Sequence, residues 1–306
     1  MNHFVSVNIL QTAIAIATPL FIGALGGLYS ERVGIVNIGL DGMMLMGAFT
    51  AAVVSYYSGS AWLGVGGALV MGMLLGLLHA TICIRFKANQ TVSGVAINIL
   101  AGSVTVFLLQ VLFHNKGQSP SAPQIGSIGV SALRIPVIGP LLQDMSYLTL
   151  VGLALVVASY VFLYHTKLGL RLRSVGENPY AAQSVGIPVV RYMYWGVMLG
   201  GTLAGLAGSF LSIGMLNVFT RNMTAGRGYI ALATLIFGRW SPFGLLIASL
   251  FFGYISAWQI SLQGLSNPAQ FVEAAPYVFA LLVLALVSRR SRGPAFAGRT
   301  FTPDDQ

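Results

Sequence analysis

Charged residues punctuate this chain at wide intervals, and the stretches between them define its elements. Residues 1–30 carry no Asp, Glu, Lys or Arg. The next free runs are 42–84, 88–115, 145–166, 192–220, 228–238, 240–272 and 274–288. A helix needs about 20 apolar residues to cross the hydrocarbon core. The 43-residue run 42–84 therefore holds two spans with a turn at Tyr57-Ser58-Gly59-Ser60. The runs 88–115, 145–166 and 192–220 hold one span each. The 11-residue run 228–238 is too short to cross unless it borrows its flanks. Run 240–272 holds a span and a Gly-Leu-Ser-Asn-Pro loop, and 274–288 spans only if it takes in Glu273. These are long continuous runs, without the ten-residue alternation of a barrel strand, so the spans are read as helices. The fold class expected is all-α, with about 8–10 transmembrane helices.

Run 1–30 has no Lys or Arg ahead of its apolar stretch and is read as a retained span rather than a secretory leader. One membrane domain, 1–290, is expected, with long connections only at 116–144 and 167–191. The tail 291–306 is basic, then polar, and is expected to be disordered.

Composition agrees with this reading. Of 306 residues only 8% are charged, against about 25% in a soluble domain, and mean hydropathy is +0.81. That excludes an ordinary soluble enzyme, a disordered chain and a nucleic-acid binder. The net charge of +9 follows the positive-inside rule. With 289–292 placed inside, twelve of the sixteen basic residues fall on one side, and Lys116, Arg134, Arg221 and Arg227 fall on the other. The C-terminus is then inside and the N-terminus outside. Segment 31–41 is placed at the inner surface and 221–227 at the outer one.

The halves of the chain resemble each other weakly. Asp41-Gly42 and Arg227-Gly228 each open an apolar run, and an Asn-containing stretch (Asn37, Asn217) precedes each. On opposite sides these units form an inverted repeat, with the path at broken helices. Chance similarity of small apolar residues is the other reading.

No catalytic constellation is present. The four histidines are scattered, and no Lys follows Gly, so a P-loop is missing. The single Cys83 excludes an intrachain disulfide. Within the spans only Asp41 and Glu273 are candidate acids, which disfavours an ion-coupled carrier. Asp41 is placed to cap its own helix from Gly42; substrate contact is the alternative. The GxxxG pairs Gly23/Gly27, Gly72/Gly76, Gly196/Gly200 and Gly201/Gly205 point to close packing within the chain, with a dimer seam as the alternative. Gln90, Ser93 and Asn98 recur at helical spacing. They suit either an uncharged hydrogen-bonding substrate or helix–helix hydrogen bonds. Segment 169–187 is expected to form a short interfacial helix, capped by Asn178, with Pro179 in its first turn and Gly186 at its end.

Three segments resemble a known family. These are Glu31-Arg32-Val33-Gly34-Ile35-Val36-Asn37-Ile38-Gly39-Leu40-Asp41-Gly42-Met43-Met44-Leu45-Met46-Gly47-Ala48-Phe49, Gly176-Glu177-Asn178-Pro179-Tyr180-Ala181-Ala182, and the stretch from Gly226 to Trp240. They are similar to ABC-importer permeases of the branched-chain amino acid/ribose type, nucleoside/simple-sugar branch. The family usually has Glu where this chain has Asp41. The resemblance implies a type II importer fold in a bacterial inner membrane, with Gly176 to Ala182 as the coupling helix. It implies no cofactor in this chain, since ATP and Mg bind a cytoplasmic ATPase with two nucleotide sites. A second, longer permease and a substrate-binding lipoprotein or periplasmic protein complete the expected assembly. The expected path residues are Asn37, Asp41, Gln90, Ser93, Asn98, Asn217, Asn222 and Thr224. The expected activity is nucleoside uptake by alternating access. Simple sugars such as ribose or galactose are the alternative cargo, a stand-alone carrier the alternative class.

Overall fold

The computed structural model describes residues 7–129, 145–262 and 293–302. The last apolar run 274–288, Glu273, the loop 264–270, Arg134 and the basic cluster 289–292 lie outside the described residues. Ten α-helices are seen among the described residues. They are α1 (Val7–Glu31), α2 (Leu40–Ser58), α3 (Ala61–Ala80), α4 (Gln90–Phe113), α5 (Tyr147–His165), α6 (Lys167–Glu177), α7 (Pro179–Ser184), α8 (Val189–Ser209), α9 (Arg227–Phe237) and α10 (Pro242–Leu262). The helices α3 and α8 run on into π-helical turns, Thr81–Arg85 and Phe210–Leu216. Six of these elements are long and apolar enough to cross a membrane.

The boundaries follow local chemistry. Gly59, at φ 69°, ends α2 where the turn between the first paired spans was expected. The Asn89 side chain accepts from the Thr91 and Val92 amides to start α4. Thr166 does the same for Gly169 at the start of α6.

Glycine sets the centre of the bundle. A Cβ on Gly47 would lie 2.6 Å from Gly205 Cα, and one on Gly26 2.5 Å from the Gly200 carbonyl oxygen. Gly72 and Gly201 likewise leave no room for a Cβ on each other's backbone. So α8 lies against α1, α2 and α3 at backbone contact, and the expected small-residue faces are used within the chain.

Two helices do not run from surface to surface. Gly27 of α1 faces Leu40, Leu232 and Leu235, and Gly23 faces Met44 and Ala231. α2 therefore begins alongside α1 about 6 Å along it from Glu31 at 1.5 Å per residue, and the middle turns of α9 lie beside the same stretch, within the bundle. Non-helical segments lead to them: 32–39 from the α6–α7 end of the bundle, and 217–226 from the opposite end. The two units run antiparallel and start at the residues the sequence similarity aligned.

This corrects the charge-based topology. Only the first part of 31–41 lies near the end of α1; by Asp41 the chain has re-entered the bundle. Arg221 stays at the far end, where its N–H donates to Gly117 O at 2.8 Å. Arg227 lies deeper, and its guanidinium donates to the Met223 and Thr224 carbonyls. Charge counting treats a re-entrant segment as a surface loop, because both interrupt an apolar run in the same way.

Candidate functional site: a helix junction and a docking loop

The starts of α2 and α9 meet head to head. A Cβ on Gly228 would overlap the Asp41 backbone, so only glycine lets the two helix ends touch. The Gly228 N–H donates to Asp41 Oδ1 at 2.9 Å, and the Thr224 hydroxyl donates to Asp41 Oδ2 at 3.0 Å. Asp41 thus caps the opposite helix, not its own. That corrects the expectation that it caps the helix from Gly42. The physical reason is position: Asp41 already lies in the first turn of α2, past Gly39, and its side chain projects toward the free N–H groups of α9. Both helix dipoles place their positive ends here, and one carboxylate sits between them.

The broken segment 32–39 is held by side chains of α3 and α4. The Val36 N–H donates to Gln90 Oε1 at 2.7 Å. His79 Nε2 donates to Val36 O at 3.2 Å, and its Nδ1 accepts from the Ser93 hydroxyl at 2.9 Å. The amide nitrogen of Asn98 donates to Ile38 O at 3.0 Å and to the Tyr229 hydroxyl at 2.9 Å. Its oxygen accepts from the Gly42 N–H at 2.7 Å. Gln90, Ser93 and Asn98 do share one face, and that face clamps non-helical backbone. Inside an apolar membrane bundle such backbone needs partners from the protein itself. His79 belongs to this clamp; in the sequence it is one of four scattered histidines, and the signal was its place inside the charge-free run 42–84.

Segment 217–226 is held in another way. The loop after α4 pairs with it: Ser119 exchanges hydrogen bonds with Phe219, and the Ala122 N–H donates to Asn217 O at 2.8 Å. Asn217, Asn222, Ala225 and Gly226 all have positive φ, so the backbone turns repeatedly where a helix would continue. Thr224 is fully buried and Asn222 is exposed. Asn37 is also fully buried; its amide nitrogen lies 3.5 Å from Ser30 Oγ, and its Oδ1 has no partner among the described residues.

Buried acid is more abundant than the two residues singled out from sequence. Glu31 is 8% exposed and accepts from the Trp240 indole N–H. The Trp240 carbonyl in turn accepts from Arg32 at 2.6 Å. Glu31 reads as a loop charge in the sequence because its partner is 209 residues away.

At the end of the bundle away from α6 and α7 lies a cavity of about 520 Å³. Gln11, Thr12, Gln124, Ser127, Ser146 and Thr149 supply its polar lining, and none of the expected path residues borders it.

At the other end, the segment expected to dock an ATPase is two helices rather than one. α6 is amphipathic, burying Gly169, Leu172, Val175 and Gly176. Asn178 breaks the chain and accepts from the Ala181 N–H at 3.0 Å, and Pro179 opens α7, as expected. Gly186, at φ 81°, closes it, with the Gly186 N–H on Gln183 O and the Ile187 N–H on Ala182 O. Exposure divides the motif. Glu177, Asn178, Ala181 and Ser184 face outward, whereas Gly176, Pro179 and Ala182 are buried. Val185, 74% exposed, is the most exposed large apolar residue of the described chain.

The tail is a further correction. Residues 293–302 are not a loose end: Phe296 and Phe301 are buried, and Tyr180 of α7 packs against both rings. The apolar side chains anchor a segment whose polar composition pointed to disorder.

Known proteins place the chain. It is 39% identical to the guanosine ABC transporter permease protein NupQ of Bacillus subtilis, covering 95% of each chain. It is 39% identical to the nucleoside ABC transporter permease protein NupC of Lactococcus lactis, over 95% of this chain and 97% of that one. TsgC13 of Haloferax volcanii, provisionally named a glucose ABC transporter permease protein, is 35% identical over 85% of this chain and 79% of its own. The family model for the permease component of branched-chain amino acid transport systems matches residues 9–288. Six helices among its described residues are long and apolar enough to cross a membrane, so the chain is a multi-pass membrane protein and, as a permease component, not itself an enzyme. The chain belongs to the family of branched-chain amino acid transport system permease components.

Proposed function

We propose that this chain is the membrane-spanning subunit of an ABC importer that takes up nucleosides by alternating access. The observation that carries the cargo is the 39% identity, along almost the whole chain, to permeases named for guanosine and nucleoside transport. The provisional glucose assignment of TsgC13 keeps simple sugars as the second reading. The junction of α2 and α9 supports a transport path, because helix starts and irregular backbone inside a bundle are how carriers handle polar cargo. In this reading Asp41 and Thr224 form the junction, Asn37, Asn217 and Asn222 lie along the two broken segments that lead to it, and Gln90, Ser93 and Asn98 hold the first of those segments in place.

The energy comes from a partner, a cytoplasmic ATPase with two nucleotide sites that binds ATP and Mg. It docks on α6 and α7, which puts the C-terminus in the cytoplasm of a bacterial inner membrane. A second, longer permease completes the membrane part, and a substrate-binding lipoprotein or periplasmic protein delivers cargo. The exposure of Val185 and Ala181 supports them as docking contacts. Ala182, though in the motif, faces the chain's own interior.

The test is uptake in proteoliposomes holding this chain with its ATPase, second permease and binding protein. Radiolabelled guanosine should accumulate only with internal ATP, and ribose or glucose should not. ATP-driven sugar uptake without nucleoside uptake overturns the cargo, and gradient-driven uptake without ATPase overturns the class.

A further inference from the structure

Ten residues near the C-terminus join two parts of the molecule that transport must connect. Gly293 lies against the Trp240 ring. The Ala295 N–H donates to Glu177 Oε2 at 3.3 Å, and the Phe296 N–H to Gly176 O at 3.0 Å, both at the end of α6. The Gly298 N–H then donates to Gly34 O at 3.1 Å, within the broken segment that leads to Asp41. Gly34 and Gly298 both have left-handed backbone, at φ 87° and 82°. A Cβ on Gly34 would meet the Phe296 ring at 3.2 Å. Finally, Arg299 O accepts from Gln90 Nε2 at 3.1 Å, and Gln90 Oε1 holds Val36 of the same broken segment.

Two aromatic rings lock these hydrogen bonds to the docking loop. Tyr180 of α7 lies 6.1 Å from Phe296, edge to face, and 5.2 Å from Phe301. Both Phe rings are more than nine-tenths buried. Tyr180 is thus the one α7 ring inserted between two rings of the tail, while the tail backbone is fastened to Gly34 and Gln90. A shift of α7 displaces Phe296 and Phe301, and the tail has no slack between Phe296 and Gly298 to absorb it.

We propose that residues 293–302 are a transmission strap. Phe296 and Phe301 act as positioning residues that pass movement of α7 to the broken segment 32–39, and so to the α2–α9 junction. The inference rests on the reading of α6 and α7 as the ATPase docking site. It goes beyond that reading by giving the tail, and not only the docking helices, a share in coupling.

The experiment compares the full complex carrying wild-type chain with one carrying F296A/F301A, in proteoliposomes, measuring ATP hydrolysed and guanosine taken up in the same vesicles. A strap predicts that hydrolysis persists while uptake falls, so ATP used per guanosine rises by about fivefold or more, the lower edge of ordinary coupling between sites. A purely structural tail lowers both activities together with the amount of assembled complex and leaves the ratio unchanged; that result overturns the proposal, as does wild-type uptake. Should F296A/F301A fail to assemble, F296L, which keeps an apolar plug but loses the ring contact with Tyr180, is read by the same ratio, and an unchanged ratio overturns the strap. If the wild-type complex shows no ATP-driven uptake, the functional reading itself fails, a result distinct from failure of the strap.

Discussion

Asp41 offers the sharpest test of the junction. Replacing it with Ala removes the acceptor for the Gly228 N–H and for the Thr224 hydroxyl. Loss of a helix cap costs about 0.5–2 kcal/mol. Loss of a hydrogen bond to a charged group costs about 1.5–3 kcal/mol, toward the upper end when the donor is left buried. Together they predict a loss of roughly 2–5 kcal/mol, or a melting point lower by roughly 4–10 °C at about 2 °C per kcal/mol for a chain of this size. D41N keeps an oxygen for Gly228 but turns an amino group toward the Thr224 hydroxyl, and should fall about halfway. T224V alone should cost about 1 kcal/mol, and adding it to D41A should cost almost nothing more, because the two residues share one interaction. The assay is thermal unfolding of the detergent-purified chain followed by tryptophan fluorescence, run on all four variants. If D41A melts with wild type, or if the Asp41 and Thr224 effects simply add, the carboxylate does not tie the helices together and the argument is wrong.

Two further outcomes follow from packing and exposure. G201A should destabilise by about 1–3 kcal/mol, because its Cβ would overlap the Gly72 backbone. G102A in α4, where nothing lies within 4 Å, should be neutral or stabilise by about 0.5–1 kcal/mol through helix propensity. Detergent melting of the pair checks the contrast, and equal effects would refute the claim that glycine sets the α8 spacing. V185D should leave melting unchanged, since the side chain is exposed, yet abolish co-purification of the ATPase and ATP-driven uptake. Normal uptake would remove Val185 from the docking surface.

Much of this architecture was legible in advance. The apolar runs mark the spans, because lipid admits almost no other composition. Asn178, Pro179 and Gly186 announce α7, since caps and terminators act on their own neighbours. The aligned Asp41-Gly42 and Arg227-Gly228 mark both helix starts, because a charge closes one apolar run and the next opens at the glycine, while the reason for each glycine, close approach to a distant backbone, is tertiary. The shared face of Gln90, Ser93 and Asn98 follows from period alone.

What the sequence alone determined, then, is everything that depends on neighbours along the chain: a helical membrane protein, its span positions, its caps and its small-residue faces. The tertiary structure decided depth and partnership. Asp41 and Arg227 were assigned to opposite surfaces, and they turn out to flank one junction, because a charge in a re-entrant segment interrupts an apolar run just as a surface charge does. Asp41 caps α9 across 187 residues, Glu31 meets Trp240 across 209, and Gln90 reaches Arg299 across 209. Such bonds leave no period or spacing in the sequence. They exist because backbone that leaves the helix inside an apolar bundle must find its hydrogen bonds within the protein, and only the packed fold determines which side chains are near enough to supply them.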